Sequence, residues 1–283
     1  MMDALRPVDD GEETRDHVVE MLVRNQEGLS KSMKIGLTDQ NELIIVLCGG
    51  KCGSTALLEF FRGEGMPVLR IHNMDHFVEE HLRGMTPRPT FHELVRFLHR
   101  YYKMIYVVDA YRDPIERRMS SFFQNFRFNL ERMGVSPSLW KKMSTEERMA
   151  MFEESGIPIL ERRNGIDSIY HDFFTECYDF QAKRQVMDRD GLRLIKLRFV
   201  DIDEWARILR PLIPGLSSHT SMPRTNMTAD STKWGAEYSE WRRSFRLRNP
   251  GIFWFLVMDP VFHKYHTMEE MVEYHANWLN KKE

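Results

Sequence analysis

From Glu42 to Cys48 the chain reads Glu-Leu-Ile-Ile-Val-Leu-Cys, and Gly49-Gly50 close the run. An apolar stretch of that length without alternation predicts a strand buried on both faces of a parallel sheet. The rhythm then changes: Leu57, Leu58, Phe60 and Phe61 fit a helix from Ser54 to Arg62, ended by Gly63 and Gly65. Met66 to Ile71 predicts a second, shorter strand. After a His-rich connection, Phe91 to Tyr102 has helical spacing with Thr90 as its N-cap. Met104 to Ala110 predicts a third core strand. Directly after it, Asp113 at the N-cap, Pro114 at the first helical position and Glu116 three residues past the cap predict a capping box.

Farther along, Glu146 to about Phe180 reads as amphipathic helix with breaks near Gly156-Ile-Pro158 and Gly165. Leu192 to Val200 alternates apolar and basic residues, which predicts a strand partly exposed on one side. Glu204 to Leu212 predicts a helix ending at Pro214-Gly215, Ser217 to Asp230 a loop, and the aromatic, Met-rich tail from Thr232 further helices packed on the sheet. Strands alternating with helices predict an α/β domain, a doubly wound parallel sheet flanked by helices, over residues 41–283. Ligands of such sheets sit beyond the carboxyl ends of the strands. Residues 1–40 are polar and predict a leader, with either a short amphipathic helix from His17 to Asn25 or a loose tether.

Composition narrows the classes of function. Of 283 residues, 42% are hydrophobic, enough for a sizeable core. Forty basic residues against forty-two acidic ones leave a net charge of −2, which argues against a general nucleic-acid or anionic-membrane surface, so any anion site must be local. Three cysteines, Cys48, Cys52 and Cys177, are too few for a disulfide framework, and zinc spacing is lacking. A reducing, cytoplasmic setting fits, and no run is long enough for a membrane span.

The segment Gly50-Lys51-Cys52-Gly53-Ser54-Thr55 lies where such a sheet binds anions, between a buried strand and a helix N-terminus. Glycines let amides turn inward, and the helix dipole adds about half a positive charge. Lys51 adds a full one. The Walker pattern places Lys directly before Ser/Thr, whereas here Lys51 precedes Cys52-Gly53, which disfavours a magnesium-dependent nucleoside triphosphatase. The bland alternative is a glycine-rich turn with an incidental lysine. Arg112 leaves the third strand at its carboxyl end, and Ser120 lies about two turns into the capped helix. Arg112 serves there either as a phosphate ligand or as an ion-pair partner of Asp113 or Glu116; Arg117 and Arg118 read as solvated by default, with assistance to the phosphate by one of them as the alternative.

Lys51-Cys52-Gly53-Ser54-Thr55, with Arg112 and Ser120 eight residues apart, resembles the PAPS-dependent sulfotransferases (PAPS, 3′-phosphoadenosine 5′-phosphosulfate). The resemblance spans roughly Glu42 to Tyr238 and is firm at those two motifs. Leu197 to Asp201 is loosely similar to the late strand and acidic turn of that family, and Asn226 to Tyr238 to the C-terminal segment of a branch assigned to capsular-polysaccharide synthesis. It implies a P-loop fold in which Gly50 to Thr55 hold the 5′-phosphosulfate, Arg112 and Ser120 the 3′-phosphate, and Trp234, with Tyr238, Arg224 and Lys233 nearby, the nucleotide. Cys52 departs from the small or polar residue usual there. The implied reaction moves a sulfuryl group to a hydroxyl acceptor, expected to be a carbohydrate or small molecule, and leaves PAP without requiring a metal. His72 is the first candidate for the base, as a His near neutrality suits a hydroxyl proton; Asp75, His76 and Glu64 are rivals, as is a role for His72 in the loop alone. A nucleotide kinase with an unusual loop and a catalytically silent nucleotide-binding protein are the alternative functions, and oligomeric state is not legible.

Overall fold

The computed structural model describes residues 12–37, 40–154, 165–217, 220–223 and 234–279. Five strands form one sheet: β1 (Gln40–Leu47), β2 (Val68–Ile71), β3 (Tyr102–Tyr111), β4 (Gln185–Arg189) and β5 (Leu192–Arg198). Their order is β2-β1-β3-β5-β4. β2, β1, β3 and β5 are parallel, and β4 runs antiparallel to β5 at the edge. The apolar run of β1 explains its place beside the sheet's centre: Ile44, Ile45 and Val46 are wholly buried, with helices on both faces.

The helices are α1 (Glu12–Arg24), α2 (Gln26–Met33), α3 (Ser54–Gly63), α4 (Met74–His81), α5 (Phe91–Leu98), α6 (Pro114–Gln124), α7 (Phe126–Arg132), α8 (Pro137–Lys142), α9 (Thr145–Glu154), α10 (Ile166–Ile169), α11 (His171–Thr175), α12 (Trp205–Leu209), α13 (Gly235–Ser244), α14 (Pro250–Val257), α15 (Pro260–Lys264) and α16 (Met268–Trp278). Helices α1, α2, α4 and α5 cover one face of the sheet through Leu22, Met33, Phe77 and Phe97, and α3 with α12 covers the other through Leu57, Phe61, Trp205 and Leu209. A third cluster, rich in aromatic rings, joins α6–α9 to α13, α14 and α16. None of the helices among the described residues is long and apolar enough to cross a membrane.

Several expectations are corrected. The N-terminal segment is no loose tether, because Val19, Leu22, Leu29 and Met33 are buried in the first core. The His-rich connection contains α4, capped by the Asn73 side chain, which accepts from the His76 amide at 2.7 Å. Tyr102 opens β3 instead of closing α5. β4 was not expected. β5 is buried on both sides, since its basic residues Lys196 and Arg198 point into ion-pair networks rather than to solvent. The helix expected from Glu204 begins earlier, as a tight turn over Phe199–Glu204 leading into α12. Asp113 caps α6 as predicted, accepting from the Glu116 amide at 2.7 Å; the Glu116 carboxylate, however, turns to Arg242 and Arg112. The break expected at Gly156-Ile-Pro158, most of the Ser217 to Asp230 loop, and Arg224 and Lys233 lie outside the described residues.

Candidate functional site

The carboxyl end of β1 runs into the turn Cys48 to Gly53, and the turn delivers the chain to the first residue of α3. The Cys52 amide donates to the Gly49 carbonyl at 3.3 Å, which closes the turn. Lys51 stands in the left-handed region with φ 69°, unusual for a residue with a side chain. Gly53, at φ 88°, is the N-cap of α3. A side chain there would also strike Trp205, whose ring lies 2.6 Å from where a Cβ would stand, so glycine is required twice over. Ser54 and Cys52 are buried, and Thr55 is half-buried in the first turn of α3.

β3 ends beside this turn, because β1 and β3 pair in parallel register up to Val46 and Val108. Arg112 therefore emerges next to Lys51, and its Nη1 donates to the Lys51 carbonyl at 2.9 Å. Its guanidinium lies over the Phe199 ring, 4.1 Å from the centroid, and its Nε is 3.8 Å from the Glu116 carboxylate. The ring fixes the planar fork from one side and leaves its edges for hydrogen bonds. One turn into α6, Arg117 reaches the same segment: its Nε donates to the Gly50 carbonyl at 2.8 Å, and its guanidinium packs where a side chain at Gly49 would be. The default expectation put Arg117 in solvent, with a part in phosphate binding as the alternative; its bond to the turn corrects the default. No motif marks it, although its place in the first turn of a helix beginning at a strand's carboxyl end was a usable signal. Arg118 points instead toward Phe122 and Phe152. Ser120 is buried in the second turn of α6.

Three cationic side chains thus converge on one turn. Burial, and then the neighbouring Arg112 charge, lowers the Lys51 ammonium to about 8. Such a cluster of positive charge favours an anion at the turn. The Cys48 and Cys52 thiols are pushed up by burial and are held unreactive.

His72 follows β2 directly, and its Nδ1 lies 3.0 Å from the Cys48 carbonyl. A carbonyl only accepts, so Nδ1 carries the proton and Nε2 holds the free lone pair of the neutral ring. Burial lowers its pKa below the ordinary 6.5. Asp75 and His76 are exposed on α4, and His76 sits 3.5 Å from Glu80. Glu64 caps the far end of α3, where it accepts from the Ser217 amide at 2.7 Å; ten residues of helix put it about 15 Å from the turn. Trp234 packs against Phe126, with ring centroids 4.6 Å apart, and Lys141 lies over it at 5.5 Å. Tyr238 is buried against Phe123 in the same aromatic cluster.

Under the site, between β3 and β5, lies a polar network that no sequence pattern marks. Lys196 Nζ is 2.6 Å from Asp109 and 2.8 Å from Asp167, and Lys264 and the Tyr265 hydroxyl donate to Asp167 at 3.1 and 2.7 Å. Asp109 also accepts from the Ile166 and Ala110 amides. Despite burial, the paired cations hold Asp167 at about 2. No family model, curated protein or solved structure matches the chain.

Proposed function

We propose that the chain is a PAPS-dependent sulfotransferase with a P-loop sulfotransferase fold, moving a sulfuryl group to a hydroxyl acceptor of carbohydrate or small-molecule class. The observation that carries this reading is the 2.9 Å hydrogen bond from Arg112 to the Lys51 carbonyl, which brings the lysine turn and the β3-end arginine to one mouth. A donor with a 5′-phosphosulfate and a 3′-phosphate needs cations at both places, and the two stand side by side at the carboxyl ends of β1 and β3.

In this reading the turn amides of Gly50 to Thr55 and the N-terminus of α3 hold the 5′-phosphosulfate, while Arg112 and Ser120 hold the 3′-phosphate. Trp234 is the candidate for the nucleotide's aromatic contact. The acceptor oxygen forms a bond to sulfur as the bond between sulfur and the phosphate oxygen breaks. His72 Nε2 takes the acceptor proton, and Lys51 neutralises the charge gathering on the departing PAP. The Nδ1 bond to Cys48 supports this role, because it fixes the tautomer with the lone pair on Nε2.

The test is a thermal-shift comparison of PAP, AMP and ATP with magnesium, followed by transfer from PAPS to a hydroxyl acceptor panel. Stabilisation by PAP without magnesium is the expected result. A response to magnesium-ATP alone would identify a kinase, and PAP binding without PAPS turnover in either the wild type or Lys51→Ala would identify a silent nucleotide-binding protein.

A further inference from the structure

Glu116 stands between two arginines and hydrogen-bonds only one of them. Its Oε1 accepts from Arg242 Nε at 3.1 Å and from Arg242 Nη2 as well. Its Oε2 is 3.8 Å from Arg112 Nε, about 1 Å too far for a hydrogen bond. The near miss falls on a donor that lacks an acceptor: Arg112 Nε is buried, and nothing among the described residues accepts from it. A buried, charged donor in that condition attracts any carboxylate within reach, because a charge-assisted hydrogen bond there is among the stronger ones a protein makes. What holds Glu116 back is its bond to the other arginine.

Packing puts Arg242 where it can do this. It lies in the last turn of α13, and α13 rests on α6 through Tyr238 and Trp241, whose rings are 5.8 and 6.2 Å from that of Phe123. The two arginines differ in their surroundings. The Arg242 side chain is 53% exposed, whereas that of Arg112 is 9% exposed. A carboxylate that closed on Arg112 would therefore form its pair where water screens it little, and the guanidinium would lose most of its attraction for a second anion. Held by Arg242, the same carboxylate spends its charge toward solvent. One exposed arginine on α13 thus decides whether a buried arginine at the end of β3 is neutralised from within the protein or stays charged for a ligand.

We infer that Arg242 is a positioning residue for the donor's 3′-phosphate, acting by holding Glu116 away from Arg112. The inference rests on the reading of Arg112 given under the proposed function. Calorimetry of the full chain with PAP and with 5′-AMP, which lacks the 3′-phosphate, tests it. Arg242→Ala is expected to weaken PAP about fivefold or more and to leave 5′-AMP unchanged, which also shows that the variant is folded. Adding Glu116→Gln to that variant removes the competing charge and should restore PAP affinity to within about twofold of the wild type. A structural lesion would not be repaired in this way. Glu116→Gln alone should bind PAP at least as tightly as the wild type. Arg243→Ala deletes an equal charge from the exposed neighbouring position and should bind PAP as the wild type does. A wild-type chain that binds PAP no better than 5′-AMP would overturn the reading, and the inference with it. Where the wild type prefers PAP, the reading stands and four results sink the inference alone: an undiminished Arg242→Ala, the same loss for 5′-AMP or in Arg243→Ala, no restoration by Glu116→Gln, or weaker PAP binding by Glu116→Gln alone, which would make Glu116 a support of Arg112 instead of its rival.

Discussion

Arg112 donates from Nη1 to the main-chain carbonyl of Lys51 at 2.9 Å, while the Phe199 ring lies against its guanidinium. One side chain therefore ties the end of β3 to the turn after β1. Hydrogen bonds from a charged donor contribute about 1.5–3 kcal/mol, so Arg112→Ala is expected to weaken PAP binding roughly 10- to 100-fold by calorimetry. Arg112→Lys should recover little, since an ammonium cannot reproduce the planar stacked fork.

Lys51 makes a prediction with two opposite signs. Its folded pKa of about 8 lies below the unfolded 10.5, so the unfolded chain binds more protons between those values, and ligand-free stability should rise as pH climbs through that window. PAP-induced stabilisation should shrink over the same range as the ammonium loses its charge. Lys51→Ala removes the desolvated charge. It is expected to raise the ligand-free thermal midpoint by about 2–4 °C per kcal/mol recovered, while lowering turnover on the order of 10²–10³-fold. Denaturation and sulfuryl-transfer assays across pH 7 to 10 read both.

For His72 the bond to Cys48 separates a chemical role from a positional one. His72→Ala is expected to lower kcat roughly 10²–10⁴-fold. His72→Asn keeps a donor for the Cys48 carbonyl and should preserve stability without restoring turnover. The ascending limb of the rate profile should lie below pH 6.5, in the direction that burial shifts the ring. Recovery of activity by the Asn variant would exclude His72 as the base.

The network beneath the site is a folding determinant. Lys196→Met leaves Asp109 and Asp167 buried without their shared cation and is expected to cost about 3–5 kcal/mol in urea denaturation. Asp167 is held near 2 against an ordinary 3.8, so its contribution is complete above the higher value and is lost as pH falls toward 2. Acid unfolding of the wild type should show that loss, and Asp167→Asn should flatten it.

Gly53→Ala combines a left-handed backbone with a collision against Trp205. The backbone strain alone is about 1–2 kcal/mol. Both the thermal midpoint and PAP affinity should fall, whereas Gly63→Ala, with open space around it, should leave them within error.

Local patterns disclosed the elements whose signal is complete within a few residues. The unbroken run at Glu42 to Cys48, the glycine turn and the Asp113-Pro114 start of α6 all appear where expected. β4 was missed although Asp190-Gly191 between Arg189 and Leu192 is a strong two-residue hairpin signal, because its own residues, Gln-Val-Met-Asp-Arg, are mostly polar and half-exposed at the sheet edge. Lys196 and Arg198 looked like solvent positions on β5 because their partners, Asp109, Asp167, Asp201 and Glu270, are distant or inconspicuous in sequence. Alternation reports polarity and cannot tell a wet charge from a paired one. Arg117 could not be told from Arg118 for a related reason: helical register says which side chains share a face, and only the folded turn supplies the carbonyl Arg117 meets.

Val19, Leu22, Leu29 and Met33 close one side of the central sheet and share a core with Phe97 and Leu98 of α5. Trimming a recombinant version back to β1, as its polar opening invites, would strip that cover and leave a wide greasy surface on the product. Such a shortened preparation should clump on purification, and its inactivity would reveal nothing about the chemistry at Lys51.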